Sequence, residues 1–179
     1  MITITEFMEV ILVKKVALII AEKVFRDEEY KIPKEVFEHA GMKVVTVSTT
    51  KQTAVGKLGL EVKPDALITE IQATDFDAVV FIGGGGAKQY FDDPTAHALA
   101  LDTMQQDKLL GAICIAPVIL ANAGLLRGKR ATVFPDGEDM LNEGGAHYTG
   151  KRVEVDGRII TGNGPDAAEE FAETILKRL

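Results

Sequence analysis

The sequence predicts an α/β, doubly wound fold with a mostly parallel sheet and helices on both faces. Segments of strand length alternate with segments of helix length along the 179 residues, and no repeat of fixed period interrupts that order. The strand segments are apolar throughout instead of alternating apolar and polar residues. Strands of this composition are buried on both faces, which is typical of a parallel sheet covered by helices.

The individual elements are predicted from apolar runs and from their flanking residues. The predicted strands are Lys14–Ala21, Lys43–Thr49, Ala78–Ile82, Leu109–Cys114, Ala131–Phe134, Arg152–Val155 and Arg158–Thr161. The predicted helices are Ile32–His39, Asp93–Gln106, Pro117–Ala123 and Asp166–Leu179. Pro33 suits a first helical turn, and Asp156-Gly157 indicates a β-hairpin. Thr53–Val62 is expected to form a small hairpin or a loop excursion.

The length suits one domain, with residues 14–179 as that domain and residues 1–13 as an N-terminal extension. The extension lacks the positive start of a signal peptide. Residues 109–126 carry no charge, but Gly111 and Pro117 divide them into a strand-like half and a helix-like half. We therefore expect a buried strand, turn and helix here, no membrane partner, and a cytoplasmic protein.

The charge balance argues against nucleic acid as a partner. The chain has 20 basic and 27 acidic residues, a net charge of −7. A nucleic-acid-binding protein normally presents a basic stripe, whereas the basic residues here occur in twos and threes. These short groups are typical of a solvated surface.

The residues that commonly hold metals or cofactors are sparse. Cys114 is the single cysteine, which excludes an internal disulfide and a multi-thiolate zinc site, and the three histidines are scattered. Gly83–Gly86 lacks the Gly-Lys-Ser/Thr of a phosphate loop, and Gly162–Ala167 lies too near the end of the chain for a dinucleotide-binding unit. We expect no metal and no cofactor.

Cys114 occupies a position that two interpretations explain. It ends a predicted buried strand and stands just before a predicted helix that starts at Pro117. A sharp strand-to-helix turn exposes its side chain above the sheet edge, and the helix N-terminus lowers a thiol pKa, both of which favour a reactive cysteine. A small, inert core cysteine is equally compatible with the position.

Several motifs together resemble the ThiJ/PfpI family, within the class I glutamine amidotransferase-like superfamily. The resemblance extends from about Lys14 to Leu179 and favours the reactive interpretation of Cys114. The residues that carry it are Ala40-Gly41-Met42-Lys43-Val44, Gly83-Gly84, Ala112-Ile113-Cys114 with Pro117, Gly144-Gly145-Ala146-His147-Tyr148-Thr149, Arg152-Val153-Glu154-Val155-Asp156-Gly157 and Gly164-Pro165.

The resemblance implies a flavodoxin-like domain that forms homodimers, with the cysteine in a pocket near the dimer interface. It also implies a glutamate that hydrogen-bonds to the cysteine sulfur. That position corresponds to Glu29, with Glu22 and Glu28 as alternatives, and a protonated carboxyl there would stabilise a thiolate. The competing interpretation is that residues 26–31 are a solvated charge run.

The resemblance further assigns an oxyanion hole and a pocket. The backbone N–H groups of Gly84 and Ile115 match the oxyanion-hole positions, which suit a tetrahedral oxyanion or an oxidised cysteine oxygen. The pocket is expected to include Gly83, Phe134 and Pro117.

Two departures from the family affect the functional prediction. Peptidase-like members carry histidine directly after the cysteine, where this chain has Ile115, and deglycase-like members carry histidine where this chain has Phe134. Without an imidazole, proton transfer to a leaving group loses its usual agent. Protease, glyoxalase and deglycase assignments are correspondingly weakened.

Two functions remain open at the level of the sequence. The first is a cysteine-dependent hydrolase or lyase in which Cys114 attacks a small carbonyl or acyl compound and Glu29 moves the proton. The alternative is a non-catalytic, redox-responsive protein in which Cys114 is oxidised to sulfenic or sulfinic acid. The missing histidines favour the alternative slightly, because oxidation needs a thiolate but no imidazole base.

Overall fold

The computed structural model of the protein describes residues 12–179, so the predicted extension lies almost entirely outside the described residues. The strands are β1 (Lys15–Ile19), β2 (Lys23–Phe25), β3 (Lys43–Ser48), β4 (Ala54–Gly56), β5 (Glu61–Val62), β6 (Ala66–Leu67), β7 (Ala78–Phe81), β8 (Leu109–Ile113), β9 (Arg130–Ala131), β10 (His147–Tyr148), β11 (Val153–Asp156) and β12 (Ile159–Gly162). The helices are α1 (Asp27–His39), α2 (Pro94–Gln105), α3 (Pro117–Asn122), α4 (Glu138–Glu143) and α5 (Ala168–Leu176).

A seven-stranded sheet forms the centre of the molecule, with the order β11-β12-β8-β7-β1-β3-β6. Every neighbouring pair in it is parallel except β11 and β12. The strands β3, β1, β7, β8 and β12 follow the flavodoxin-like order, in which the first two parallel strands exchange places. The predicted α/β fold, with its doubly wound and mostly parallel sheet, is confirmed.

The sheet is buried on both faces because its strands present apolar side chains to two separate cores. In β1, Ala17 and Ile19 face one core, whereas Val16 and Leu18 face the other. Helices α2 and α3 cover the first core, and α1 and α5 cover the second. This two-sided burial explains why the strand sequences are apolar at every position instead of at every second position.

The N-terminus of α1 differs from the prediction. The helix was expected to start at Ile32 with Pro33 in its first turn, but it starts at Asp27 and contains Pro33 in its interior. Three consecutive acidic residues, Asp27, Glu28 and Glu29, form the first turn, where the helix dipole favours negative charge. The Asp27 carboxylate also accepts hydrogen bonds from the N–H groups of Leu58 and Leu60, both at 2.8 Å, which fixes this turn against the loop after β4.

The segment predicted as a strand over Ala131–Phe134 is shorter in the structure. Only Arg130–Ala131 pairs, in parallel with β10, and the chain then turns toward Cys114. The N–H of Phe134 donates to the carbonyl oxygen of Cys114 at 2.7 Å, so this segment bonds to the end of β8 instead of extending its own ladder. The last helix is also shorter than predicted, because Pro165–Ala167 form a separate 3₁₀ turn before α5.

Both predicted hairpins are present. Strands β4 and β5 pair antiparallel within residues 53–62, and β11 and β12 pair antiparallel around Asp156-Gly157. The uncharged segment 109–126 contains β8, the turn at Cys114 and α3. In the part of the chain that the structure describes, no helix is both long enough and apolar enough to cross a membrane.

Strand β2 was not predicted from the sequence, and it packs closely on the glycine segment after β7. It contains Val24 at φ 60°, a strained conformation for a β-branched residue. A Cβ on Gly86 would lie 1.8 Å from the carbonyl oxygen of Lys23, whereas a Cβ on Gly85 would lie 3.7 Å from its nearest neighbour, Val24 Cγ1. The role of Gly86 is therefore steric: it permits the close approach of two backbone segments.

We predict that Gly86→Ala lowers the free energy of unfolding by about 3 kcal/mol, because the added methyl group forces β2 away from the glycine segment. Gly85→Ala is the matched control, with an expected change within about 0.5 kcal/mol. Urea denaturation of the two variants and of the wild-type protein measures the difference. Equal effects of the two substitutions would contradict the close packing described here.

Candidate active site around Cys114

Cys114 lies at the carboxyl end of β8, in a sharp turn that leads into α3. Its φ is +63°, in the left-handed region that residues other than glycine rarely adopt. Two backbone hydrogen bonds hold the turn: the Cys114 N–H donates to the Gly162 oxygen at 2.9 Å, and the Cys114 oxygen accepts from the Phe134 N–H at 2.7 Å. A conformation of this kind costs about 1–3 kcal/mol and persists only where surrounding contacts enforce it.

Glu29 is the carboxylate that the fold brings to Cys114. Its side chain reaches from the first turn of α1 into the protein and is 0% exposed. Oε2 accepts a hydrogen bond from the Gly83 N–H at 3.1 Å. Oε1 is buried without a hydrogen-bond partner among residues 12–179, and the Cys114 thiol is a neighbour of the carboxyl group.

Gly83 makes this contact possible because it has no side chain. A Cβ at this position would lie 2.5 Å from the Cys114 Cβ and 2.5 Å from Glu29 Oε2, so any other residue would separate the carboxyl from the cysteine. Glycine is therefore required at position 83 for Glu29 and Cys114 to lie side by side.

The two alternative glutamates lie elsewhere. Glu22 accepts a hydrogen bond from the Thr49 hydroxyl at 2.6 Å, and Glu28 pairs with Arg26, with 2.8 Å between Nε and Oε2. The interpretation of residues 26–31 as a solvated charge run fits Glu28, which is partly exposed, but not Glu29.

Gly84 and Ile115 line the same cavity as Cys114, and their backbone N–H groups lower the pKa of the thiol. Gly84 adopts φ +94°, and a Cβ on it would lie 2.4 Å from the Arg26 nitrogen and 2.5 Å from the Val24 oxygen. Both a positive φ and a close backbone approach thus require glycine here. The structure brings together the sulfur, the two N–H groups and the Glu29 carboxyl.

Burial dominates the electrostatics of the pair. It raises the pKa of Glu29 to about 8, which leaves this carboxyl protonated at neutral pH. Burial, followed by the negative charge of Glu29, also raises the pKa of Cys114 to about 12. The helix-terminus argument predicted a lowered thiol pKa; burial acts in the opposite direction, and the Glu29 charge contributes only while that carboxyl is ionised.

A cavity of about 380 Å³ opens above the sulfur. The residues that line it are Arg26, Lys57, Gly84, Gly85, Lys88, Cys114, Ile115, Phe134, Asp136, Met140 and Pro165. Of the three predicted pocket residues, Phe134 lines the cavity and is 38% exposed. Gly83 and Pro117 do not: Gly83 lies below the cysteine, and Pro117 is buried as the first residue of α3.

Sequence reasoning missed the charged residues at the mouth of this cavity. Lys57, Lys88 and Asp136 come from three loops that are distant in sequence, so no local pattern indicates that they meet. The histidines are not among the lining residues: His39 and His147 are exposed, and the His97 Nε2 pairs with the Phe91 oxygen at 2.8 Å. Within residues 12–179, no group of three His, Cys, Asp or Glu residues is arranged to hold a metal ion.

The sequence profile of the DJ-1/PfpI family matches residues 14–178. The chain belongs to the DJ-1/PfpI family. An uncharacterized protein of Methanocaldococcus jannaschii is 42% identical over 168 residues, which cover 92% of this chain and 82% of that protein. An uncharacterized protein of Staphylococcus aureus is 34% identical over 169 residues, which cover 93% of this chain and 98% of that protein.

Solved structures of the DJ-1/PfpI family have the same fold. A ThiJ/PfpI domain protein from Brachyspira murdochii superposes with a TM-score of 0.90 at 35% identity, covering 93% of this chain and 98% of the other. DJ-1beta of Drosophila melanogaster superposes with a TM-score of 0.85 at 29% identity, covering 94% and 91%. The family resemblance and the flavodoxin-like fold predicted from the sequence are confirmed.

The raised pKa of Glu29 predicts a pH-dependent stability. The unfolded chain ionises this carboxyl near 4.5 and the folded protein near 8, so the folded state binds more protons between these values and loses stability as the pH rises through that range. As the pH rises over this interval, the free energy of unfolding of Glu29→Gln is expected to increase relative to that of the wild-type protein by up to about 1.4 kcal/mol per pH unit.

Urea denaturation at pH 5, 6, 7 and about 8 measures this difference. Glu28→Gln is the control: its partner Arg26 lowers the pKa of Glu28, so its contribution changes only at more acidic pH. A difference between Glu29→Gln and wild type that is independent of pH would show that Glu29 ionises normally in the folded protein.

Proposed function

We propose that the protein is a cysteine-dependent enzyme that acts on small carbonyl or acyl compounds, with Cys114 as nucleophile and Glu29 as the group that moves the proton. The observation that supports it is a fully buried carboxyl beside a cysteine that lines a cavity, with the backbone N–H groups of Gly84 and Ile115 next to that cysteine. Buried carboxyls with a raised pKa are common among catalytic acids and bases.

The first step is attack on the carbonyl carbon by the Cys114 thiolate, which forms when the thiol releases its proton to solvent while Glu29 keeps its own. The sulfur forms a bond to carbon, and the electron pair of the C=O bond moves to oxygen. The N–H groups of Gly84 and Ile115, next to the sulfur, are placed to receive this oxyanion. With an aldehyde, the Glu29 carboxyl then gives its proton to the oxygen, and the product is a hemithioacetal.

With an acyl substrate, the reaction proceeds further after the oxyanion has formed. The oxyanion collapses, the bond to the leaving alcohol breaks, and the alcohol leaves with the proton from Glu29. Water then adds to the thioester while the Glu29 carboxylate accepts its proton, and this second collapse releases the acid and restores the thiolate beside a protonated Glu29. Glu29 thus serves as acid in the first half and as base in the second.

The dimensions and lining of the cavity favour small molecules over a peptide chain. A volume of about 380 Å³ lies at the lower end of ligand-binding pockets. Ile115 and Phe134 occupy the two positions where peptidase-like and deglycase-like relatives place a histidine, so the walls near the sulfur are apolar. A protease is accordingly the least supported assignment.

We predict that Cys114→Ser abolishes turnover of small aryl esters and aldehydes, and that Glu29→Gln lowers kcat/KM by about 100-fold because proton transfer is lost. Glu35→Gln, on the exposed side of α1, is the matched carboxylate control and should retain wild-type activity. Steady-state kinetics together with circular dichroism separate loss of activity from loss of fold. Turnover that survives in Cys114→Ser would overturn this mechanism.

A second candidate function, redox response, is favoured by Oε1 of Glu29, which is buried and has no hydrogen-bond partner among residues 12–179. The thiolate attacks one oxygen of hydrogen peroxide, the S–O bond forms, the O–O bond breaks, and hydroxide leaves and is protonated to water. A second peroxide converts the sulfenate to sulfinate. A protonated Glu29 then donates a hydrogen bond to a sulfinate oxygen and stabilises that oxidation state.

For this candidate, we expect mild peroxide to add two oxygen atoms to Cys114 and to stop there, as measured by intact-protein mass spectrometry. Glu29→Leu removes the hydrogen-bond donor and should allow oxidation to continue to sulfonic acid. Glu29→Gln keeps an N–H donor and should again stop at sulfinic acid. A Cys114 that oxidises no faster than a free thiol, or identical products in all three proteins, would exclude the redox function.

The remaining parts of the proposal come from the family resemblance and from the sequence. We include a homodimer with the Cys114 pocket near its interface, a cytoplasmic location, and no nucleic-acid partner. The net charge of −7 supports the last of these.

A further inference from the structure

The cavity above Cys114 is positively charged, although the protein as a whole is acidic. Three of its lining residues are basic, Arg26, Lys57 and Lys88, and one is acidic, Asp136. The whole chain has a net charge of −7. The excess of positive charge is thus a local property of this cavity.

The two exposed lysines that line the cavity are not paired with a carboxylate in the part of the chain that the structure describes. Within residues 12–179, neither Lys57 nor Lys88 forms an ion pair with a carboxylate, whereas Lys34 pairs with Glu38 at 2.6 Å and Lys51 with Glu70 at 2.9 Å. Both cavity lysines are exposed, so their ammonium groups can meet a ligand without breaking an existing pair.

Arg26 is the third basic residue that lines the cavity, and its positive charge acts on the buried Glu29. Its guanidinium pairs with Glu28, which does not line the cavity, yet its charge still lowers the pKa of Glu29. The walls near the sulfur are apolar, formed by Ile115, Phe134 and Met140. The cavity therefore combines an apolar region at the reactive atom with cationic groups at its mouth.

We propose that the substrate is a small carbonyl compound that bears a carboxylate, and that Lys57 and Lys88 bind this carboxylate while the carbonyl carbon meets the Cys114 sulfur. This inference rests on the proposed function and adds its substrate class. The lysines are specificity residues: they attract the anionic end of the ligand, and they take no part in bond making.

Alkylation of Cys114 tests the proposed preference for a carboxylate, and it does so without knowledge of the natural substrate. Iodoacetate and iodoacetamide have nearly the same size and form the same S–C bond with loss of iodide, but only iodoacetate carries a carboxylate. The ratio of their rate constants at Cys114, divided by the same ratio for glutathione, measures the preference for an anion. Any change in thiol pKa affects both reagents alike and cancels in this ratio.

We expect a normalised ratio above one in the wild-type protein at low ionic strength, and a fall of about fivefold in the double variant Lys57→Met/Lys88→Met. Salt should reduce the preference in the wild-type protein. Asp136→Asn should raise the normalised ratio, because it removes the acidic residue from the cavity lining. The double variant Lys43→Met/Lys108→Met is the matched control and should leave the ratio unchanged. Lys43 is the first residue of β3 and Lys108 directly precedes β8, so both lie at the amino end of the sheet, opposite Cys114.

The outcomes separate the two proposals. If Cys114 is alkylated but the ratio is the same in the wild-type and Lys57→Met/Lys88→Met proteins, the carboxylate preference is overturned and the reactive cysteine stands. An equal fall in the control double variant would also overturn it, because the effect would then reflect net charge alone. If neither reagent labels Cys114, the thiol is unreactive and both proposals fail.

Discussion

The carboxyl group of Glu29 is withdrawn from water and held against the Cys114 sulfur, and the surrounding elements are arranged around that contact. The first turn of α1 carries the carboxyl, the end of β7 supplies Gly83 beside it, and the turn after β8 supplies the cysteine. Each of these is unusual in isolation: a buried acid, a glycine with no room for a methyl group, and a cysteine at positive φ. Together they allow the Glu29 carboxyl to lie next to the Cys114 thiol.

The chemical consequence is that each of the two groups holds its proton more tightly than it would in water. Burial raises the pKa of both groups, so the pair resists carrying two negative charges at neutral pH. The amides of Gly84 and Ile115 favour negative charge on sulfur, and a protonated Glu29 is the matching state of its partner. Nucleophilic attack and oxidation both start from this state, which explains why the same geometry supports either function.

The sequence was sufficient for the fold, and it did not indicate the charged residues that line the cavity. Apolar runs and turn residues predicted the central strands, because two-sided burial leaves a strong local pattern. Family motifs pointed to Cys114, Glu29, Gly84 and Ile115, and the structure places these four together.

Other features depend on contacts between distant segments. The start of α1 was misplaced because Pro33 resembles a first-turn residue, whereas the hydrogen bonds of Asp27 to Leu58 and Leu60 hold an earlier turn. The direction of the Cys114 pKa was also misjudged, because burial is not visible in a local motif. Lys57, Lys88 and Asp136 meet only after folding.

The first turn of α1 also has a mechanical role. Asp27 holds the backbone just after Lys57, which lines the cavity, and Glu29, two residues further along, is buried beside Gly83 and Cys114. One helical turn thus anchors both the entrance of the cavity and its reactive end. A displacement of this turn would therefore move the loop that carries Lys57 and the Glu29 carboxyl together.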